Sequence, residues 1–210
     1  MLMFMADALG QQKTVQYNLA QMLADKRFTV INRDVSAVKD GDRTSLHFSA
    51  REGDGAAWLN GVSFANGVIE LDIKGRDVLQ QSFLGVAFHG LNDSTLDVIY
   101  FRPFNFRAAD PVRRIHAVQY VSVPKYDWEL LRETRNGQYE KAVDPAPKAD
   151  EWFHAKIVVN YPQVSVYVNG SDKPSLSIKK LSDIKTGKLG LWVGNTSDGD
   201  FANLSVTSTP

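Results

Sequence analysis

From residue 28 onward the chain is a succession of short runs in which apolar and polar side chains alternate, and turn residues separate many of them. Val68 to Lys74 shows the pattern: Ile69, Leu71 and Ile73 fall on one face, Glu70, Asp72 and Lys74 on the other. A period of two is what an extended strand with one buried face requires. In Ser82–His89, Leu84, Val86 and Phe88 point one way and Gly85, Ala87 and His89 the other; in Ser45–Ser49, Leu46 and Phe48 share a face. Residues 28–31, 98–102, 116–121, 152–160, 164–169, 175–179, 188–194 and 201–206 also read as strands. Turn signals stand at 39–42, 53–55, 161–162, 169–170 and 197–199. Two stretches read differently. Thr14–Lys26 has Val15, Leu19, Met22 and Leu23 near helical spacing, but reads equally as an edge strand and turn. In the long connection 122–150, Asp127 is placed to cap a short helix through Trp128, Leu131 and Arg132. Many short strands with one apolar face each predict an all-β fold of two stacked antiparallel sheets with few short helices.

At 210 residues, 43% hydrophobic and 10% aromatic, the chain suits one such domain, and residues 13–210 are expected to form it. Residues 1–12 contain a short apolar run with small residues at Ala8 and Gly10 and no basic residue before it. They read equally as a remnant export signal or a tail. Lys+Arg and Asp+Glu both number 24, so formal net charge is zero and there is no electrostatic case for nucleic acid or an anionic membrane surface. No apolar run is long enough to cross a bilayer, so the chain is not expected to be transmembrane. The absence of cysteine excludes disulfides and thiolate chemistry. No phosphate-cradling glycine loop, zinc-binding helix motif or nucleophile elbow occurs. No cofactor or metal is therefore expected. Asp198 and Asp200 beside Gly199 carry the oxygen donors calcium takes, but read better as turn formers.

Two stretches carry a family resemblance. One is Gly55–Gly75, GAAWLNGVSFANGVIELDIKG. The other is Glu151–Val206, with EWFHAKIVVN, VSVYVNG and GKLGLWVGNTSDGDFANLSV in that order. They resemble the concanavalin A-like lectin/glucanase superfamily, and are similar to the closing strands of laminin-G-like jelly rolls and to the 3-keto-disaccharide hydrolase family. The resemblance implies a concanavalin A-like jelly-roll β-sandwich with a carbohydrate ligand in a polar, aromatic-rimmed groove. It also implies a bacterial protein exported to the periplasm or beyond. On function it leaves three readings open: a glycoside hydrolase- or lyase-like domain, a non-catalytic glycan-binding module, and a structural or protein-interaction jelly roll. Laminarinase-type members carry Glu-x-Asp-x-x-Glu on one strand. Here Glu70 and Asp72 are followed by Lys74 and Gly75, so that retaining pair is not expected and the string reads as a solvated strand face.

Candidate site residues come mainly from Asp97–Tyr120, where cationic and aromatic side chains are densest. Tyr100 and Arg102 share one face of a strand whose other face, Ile99 and Phe101, reads as core. Arg102 offers a planar fork for vicinal hydroxyls or a carboxylate, and Asn105 an amide. Arg113 reads as solvated, Arg114 as a ligand contact. His116 and Tyr120 share a face in a strand counted from 116, with Gln119 opposite, and are read as facing the groove. His89 ends its strand on the polar face, and with His116 and Glu140 it is a candidate acid or base. Trp128 in the long loop and Trp192 on an outward strand position are candidate stacking platforms for a pyranose ring. Trp58 and Trp152 read as core or edge packing.

Overall fold

A computed structural model of the chain describes residues 12–209. The export-signal or tail reading of residues 1–12 lies, but for Gln12, outside the described residues. The 14–26 stretch is both of its expected elements in turn: a strand, β1 (Lys13–Gln16), then a short helix, α1 (Leu19–Ala24). Asn18 caps α1, its side chain accepting the Gln21 N–H at 3.0 Å, and Leu19 and Met22 turn into the core. Next come β2 (Phe28–Ile31), β3 (Val35–Asp40), β4 (Arg43–Phe48), β5 (Gly55–Phe64), β6 (Asn66–Lys74), β7 (Leu84–Gly90) and β8 (Leu96–Phe101). A single 3-10 turn over Pro103–Asn105 and a short helix α2 (Pro111–Arg114) lead into β9 (Val118–Val123). The long connection carries its own helix, α3 (Trp128–Thr134), and a two-residue strand, β10 (Glu140–Lys141). The chain closes with β11 (Phe153–Asn160), β12 (Gln163–Val168), β13 (Leu176–Lys179), β14 (Gly187–Val193) and β15 (Gly199–Thr209).

These strands form two antiparallel sheets. One has eight strands in the order β13-β12-β11-β6-β15-β4-β3, with β1 added against the end of β15; the other has seven, in the order β10-β9-β8-β7-β14-β5-β2. The core lies between them and is built from the apolar faces read in the sequence. Ile69, Leu71 and Ile73 of β6 and Phe153, Ala155 and Ile157 of β11 meet Leu84, Val86, Ile99, Phe101 and Leu191 of the opposite sheet, all essentially inaccessible. Phe101 and Phe153 meet edge to face with ring centres 5.0 Å apart, and Phe106 joins Phe153 at 5.1 Å. Each such side chain contributes about 1.5–3 kcal/mol through burial.

Glu70, Asp72 and Lys74 lie on the far face of the eight-stranded sheet and form the solvated network expected of them. Asp72 meets His154 Nδ1 at 2.9 Å, accepts from Asn203 at 2.7 Å and lies 3.3 Å from Arg43. Asp198 lies 2.6 Å from Arg76 Nε and Asp200 2.9 Å from His47 Nδ1. Among the described residues no cluster of metal-ligating side chains forms, and no helix is long and apolar enough to cross a membrane.

One irregularity reassigns a residue. Along β14, Lys188 pairs with Gly90 but Gly190 pairs with Ala87, so Phe88 and His89 together oppose one residue. This bulge breaks the alternation. His89 takes a left-handed φ of 50° and turns inward, where it is 0% exposed. The outward position that alternation assigns to it is therefore wrong.

Candidate functional site

The outer face of the seven-stranded sheet carries a groove of about 680 Å³. Its floor follows from strand register, because directly opposed residues of antiparallel strands share a face. Tyr100 pairs with Gly85 on one side and Gln119 on the other, and Gly85 pairs in turn with Trp192. All four therefore face the groove side. The glycine keeps the centre low: a Cβ on Gly85 would lie 2.0 Å from Ile99 O. Phe83, Tyr100 and Trp192 form an aromatic floor, with Trp192 5.2 Å from Tyr100 and Phe83 6.2 Å from it. Arg102 lies over this floor, its guanidinium 4.8 Å from the Tyr100 ring centre. Trp192 faces outward as the alternation predicts, yet neighbouring rings cover most of it.

A polar network fixes the floor. Arg102 donates through Nη2 to Tyr100 Oη at 2.7 Å and to Gln119 Oε1 at 2.5 Å, and through Nη1 to His116 O at 2.9 Å. Tyr100 in turn donates to Gln119 Oε1 at 2.8 Å. Burial pushes the Tyr100 phenol up to about 12, against the Arg102 charge that pulls it down, so it stays a neutral donor. At the sheet edge, β10 pairs with β9 so that Glu140 stands opposite Gln119, on the same face. Its carboxylate receives Arg132 through Nε at 3.2 Å and Nη2 at 3.0 Å. His116 Nδ1 lies 2.7 Å from it and Arg102 Nη1 3.6 Å. Burial alone would raise the Glu140 carboxyl, but the Arg132 hydrogen bond and charge and the His116 contact outweigh it and hold the group below its ordinary value. Glu140 is thus an ionised, saturated anchor, 2% exposed.

The rim is supplied by loops and helices. Asp127 caps α3, accepting the Leu130 N–H at 2.8 Å. That cap sets Trp128, 44% exposed, at the groove mouth with the Arg132 guanidinium 5.1 Å from its ring centre. Leu79, also exposed, lines the rim. Asn105 is anchored by His116 O and by Arg113, which donates through Nε to Asn105 Oδ1 at 3.1 Å and through Nη2 to Phe104 O at 2.8 Å. At the other end lie Asp54 and Asn195, linked by the Asn195 N–H to Asp54 Oδ1 at 3.1 Å. Desolvation by the wall pulls the Asp54 carboxyl upward, against that hydrogen bond and the Arg33 charge.

Of the residues singled out in the sequence, Tyr100, Arg102, Asn105, His116, Trp128 and Trp192 line this one groove, and Glu140 is buried beside it against His116, Arg102 and Arg132. Three do not belong to it. Tyr120 pairs with Ile99 and faces the core, because β9 begins at Val118 and His116 sits in the preceding turn, so one alternation cannot be counted through both. Arg114 is exposed on α2 and bonds Ala108 O at 3.2 Å, while its neighbour Arg113, read as solvated, lines the groove. His89 belongs to a separate buried cluster. Lys180 Nζ donates to Asp97 Oδ2, to His89 Nδ1 at 2.7 Å and to Ile184 O at 2.8 Å; Tyr120 and Ser182 hydroxyls donate to Asp97 at 2.5 and 2.9 Å. Since the ammonium can only donate, His89 is the tautomer whose Nε2–H donates to Ala65 O at 2.7 Å. Sequence reasoning missed Gln119, Arg113 and Arg132. Gln119 was recoverable from the pairing of Tyr100 with β9; nothing local marks Arg132.

No family model matches the chain and no curated protein matches it in sequence. Among solved structures it is similar to a Bacillus subtilis protein of unknown function with a galectin-like fold: TM-score 0.63, 14% identity, covering 94% of this chain and 98% of that one. It is similar to carbohydrate binding module CBM66, also from Bacillus subtilis, with TM-score 0.60, 14% identity and coverage of 86% and 95%. A third likeness is to domain 4 of AbnA, a GH43 extracellular arabinanase from Geobacillus stearothermophilus, in complex with arabinotriose. There the TM-score is 0.52, identity 15% and coverage 87% and 82%. With the two-sheet topology, these likenesses establish the fold as a concanavalin A-like jelly roll.

Proposed function

We propose that the protein is a saccharide-binding jelly roll that holds its ligand in this groove without cleaving it. The observation that carries the reading is the groove itself, whose size lies in the range of small-ligand sites. It combines an exposed tryptophan at the mouth with an aromatic floor threaded by fixed donors. An exposed indole face stacks on the apolar face of a sugar ring, while Arg, His and amide groups orient its hydroxyls. Hydrolysis needs two carboxylates flanking one glycosidic bond. Glu140 is buried and saturated, and Asp127 is engaged in capping α3. Two similar structures are described as a carbohydrate binding module and as a domain in complex with arabinotriose, which supports a sugar ligand here. The reading also suits a protein working outside the cytoplasm, where saccharide polymers are met.

One observation favours a hydrolytic alternative: Asp54 lines the groove with its carboxyl raised, as a general acid requires. Its partner would have to be Asp127, the other carboxylate lining the groove. Thermal-shift and titration measurements on a panel of mono- and oligosaccharides, with chromatography of the products, separate the two. Binding without turnover is expected. Release of shorter sugars, lost in Asp54→Asn, would overturn the binding-only reading.

A further inference from the structure

One end of the groove holds more hydrogen-bond donors than the protein engages. Arg113 uses Nε and Nη2 on Asn105 and Phe104, and Arg132 uses the same pair on Glu140. Among the described residues, Nη1 of each has no partner. His116 lines the groove with Nδ1 2.7 Å from Glu140. On the groove face of β9, Gln119 Nε2 is buried and unpartnered as well. The side-chain acceptors at this end each already take at least one bond. Asn105 Oδ1 takes Arg113, Gln119 Oε1 takes Tyr100 and Arg102, and Glu140 takes Arg132. The groove's other carboxylates do not redress this. Asp54 lies beside Asn195 within the field of Arg33, and Asp127 caps α3. Locally, Arg102 and Arg132 share the one Glu140 carboxylate and Arg113 makes no ion pair among the described residues, an excess of positive charge.

A sugar hydroxyl that accepts here must also place its own proton, whereas the unpartnered Arg113 Nη1, Arg132 Nη1 and Gln119 Nε2 can only donate. A carboxylate or sulfate ester only accepts, and its bonds to Arg and His are charge-assisted. We infer that this end of the groove takes an acidic substituent, so that the ligand is an acidic glycan bearing a uronate carboxylate or a sulfate. The inference rests on the groove being a saccharide site.

The test is a printed array of neutral, uronic-acid and sulfated glycans probed with the full chain, followed by titration of matched acidic and neutral pairs. An acidic member should bind about ten- to hundredfold tighter than its neutral counterpart, the worth of one or two charge-assisted bonds. The gap should narrow as salt rises. Arg113→Met should narrow it as well, and the uronate and sulfate arms identify which anion is taken. Neutral glycans binding as tightly as acidic ones would overturn the inference and leave the saccharide reading intact. So would an equal loss of both on Arg113→Met. Binding of no glycan at all would overturn both.

Discussion

Replacing Lys180 with methionine isolates the buried cluster from the groove. The ammonium is fully buried and donates all three of its protons, to Asp97, His89 and Ile184 O. Methionine fills a similar volume but leaves His89 Nδ1 and Ile184 O without a donor, and leaves the Asp97 carboxylate supported only by Tyr120 and Ser182. Breaking one side of a buried ion pair costs about 3–5 kcal/mol. At about 2–4 °C per kcal/mol for a domain of this size, Tm should fall by roughly 6–20 °C. Removing the anion too, in Lys180→Met/Asp97→Leu, should recover part of that loss, because no unpaired charge then remains. Circular-dichroism melting of wild type, the single and the double variant reads this directly, and saccharide titration of the folded single variant should match wild type. A single variant as stable as wild type would refute the view that each buried charge depends on the other. So would a double variant no better than the single.

Two further outcomes follow from the ionisation states. Glu140→Gln leaves Arg102 and Arg132 facing an amide and should cost about 2–4 kcal/mol, screened in part because Arg132 is one-third exposed. The wild-type carboxyl is held below its ordinary 4.5, so this stabilisation is present above about that pH and disappears as pH falls through the folded value. The Tm difference between wild type and variant should therefore shrink in acid; a constant difference would contradict it. His89 behaves oppositely to His154. Burial first, then the Lys180 charge, hold the folded His89 pKa below 6.5, so stability is full above that pH and falls below it as the unfolded chain takes the proton, by at most about 1.4 kcal/mol per pH unit. The hydrogen bond that His154 donates to Asp72 raises the His154 pKa, so its contribution is present below 6.5 and fades as pH rises through its folded value. Melting from pH 5 to 8 should show a steeper acid loss in His154→Gln than in wild type; an unchanged slope would contradict the pairing with Asp72.

Period-two alternation was sufficient for the sandwich, since Ile69, Leu71 and Ile73 or Ile99 and Phe101 have no other way to be buried together. It also placed Tyr100, Arg102 and Trp192 on the groove side, because regular strand faces propagate through paired neighbours. It failed where the strand stops being regular. The bulge at Phe88–His89 arises from the pairing with β14, more than ninety residues downstream, and no local signal announces it. The count through His116 to Tyr120 failed because α2 and its turn displace the strand start to Val118. The roles of Glu140 and Arg132 depend on how the long connection folds back over β9, a non-local contact that spacing along the chain does not encode.

The groove's role is tested most directly by titrating the tightest-binding glycan into wild type and Trp128→Ala. The side chain is 44% exposed and its helix is held by the Asp127 cap and the buried Leu131, so Tm should move by less than about 2 °C, as for an ordinary surface substitution. Loss of the stacking face should raise Kd about tenfold or more. Unchanged affinity in the folded variant would contradict the assignment of this groove as the binding site.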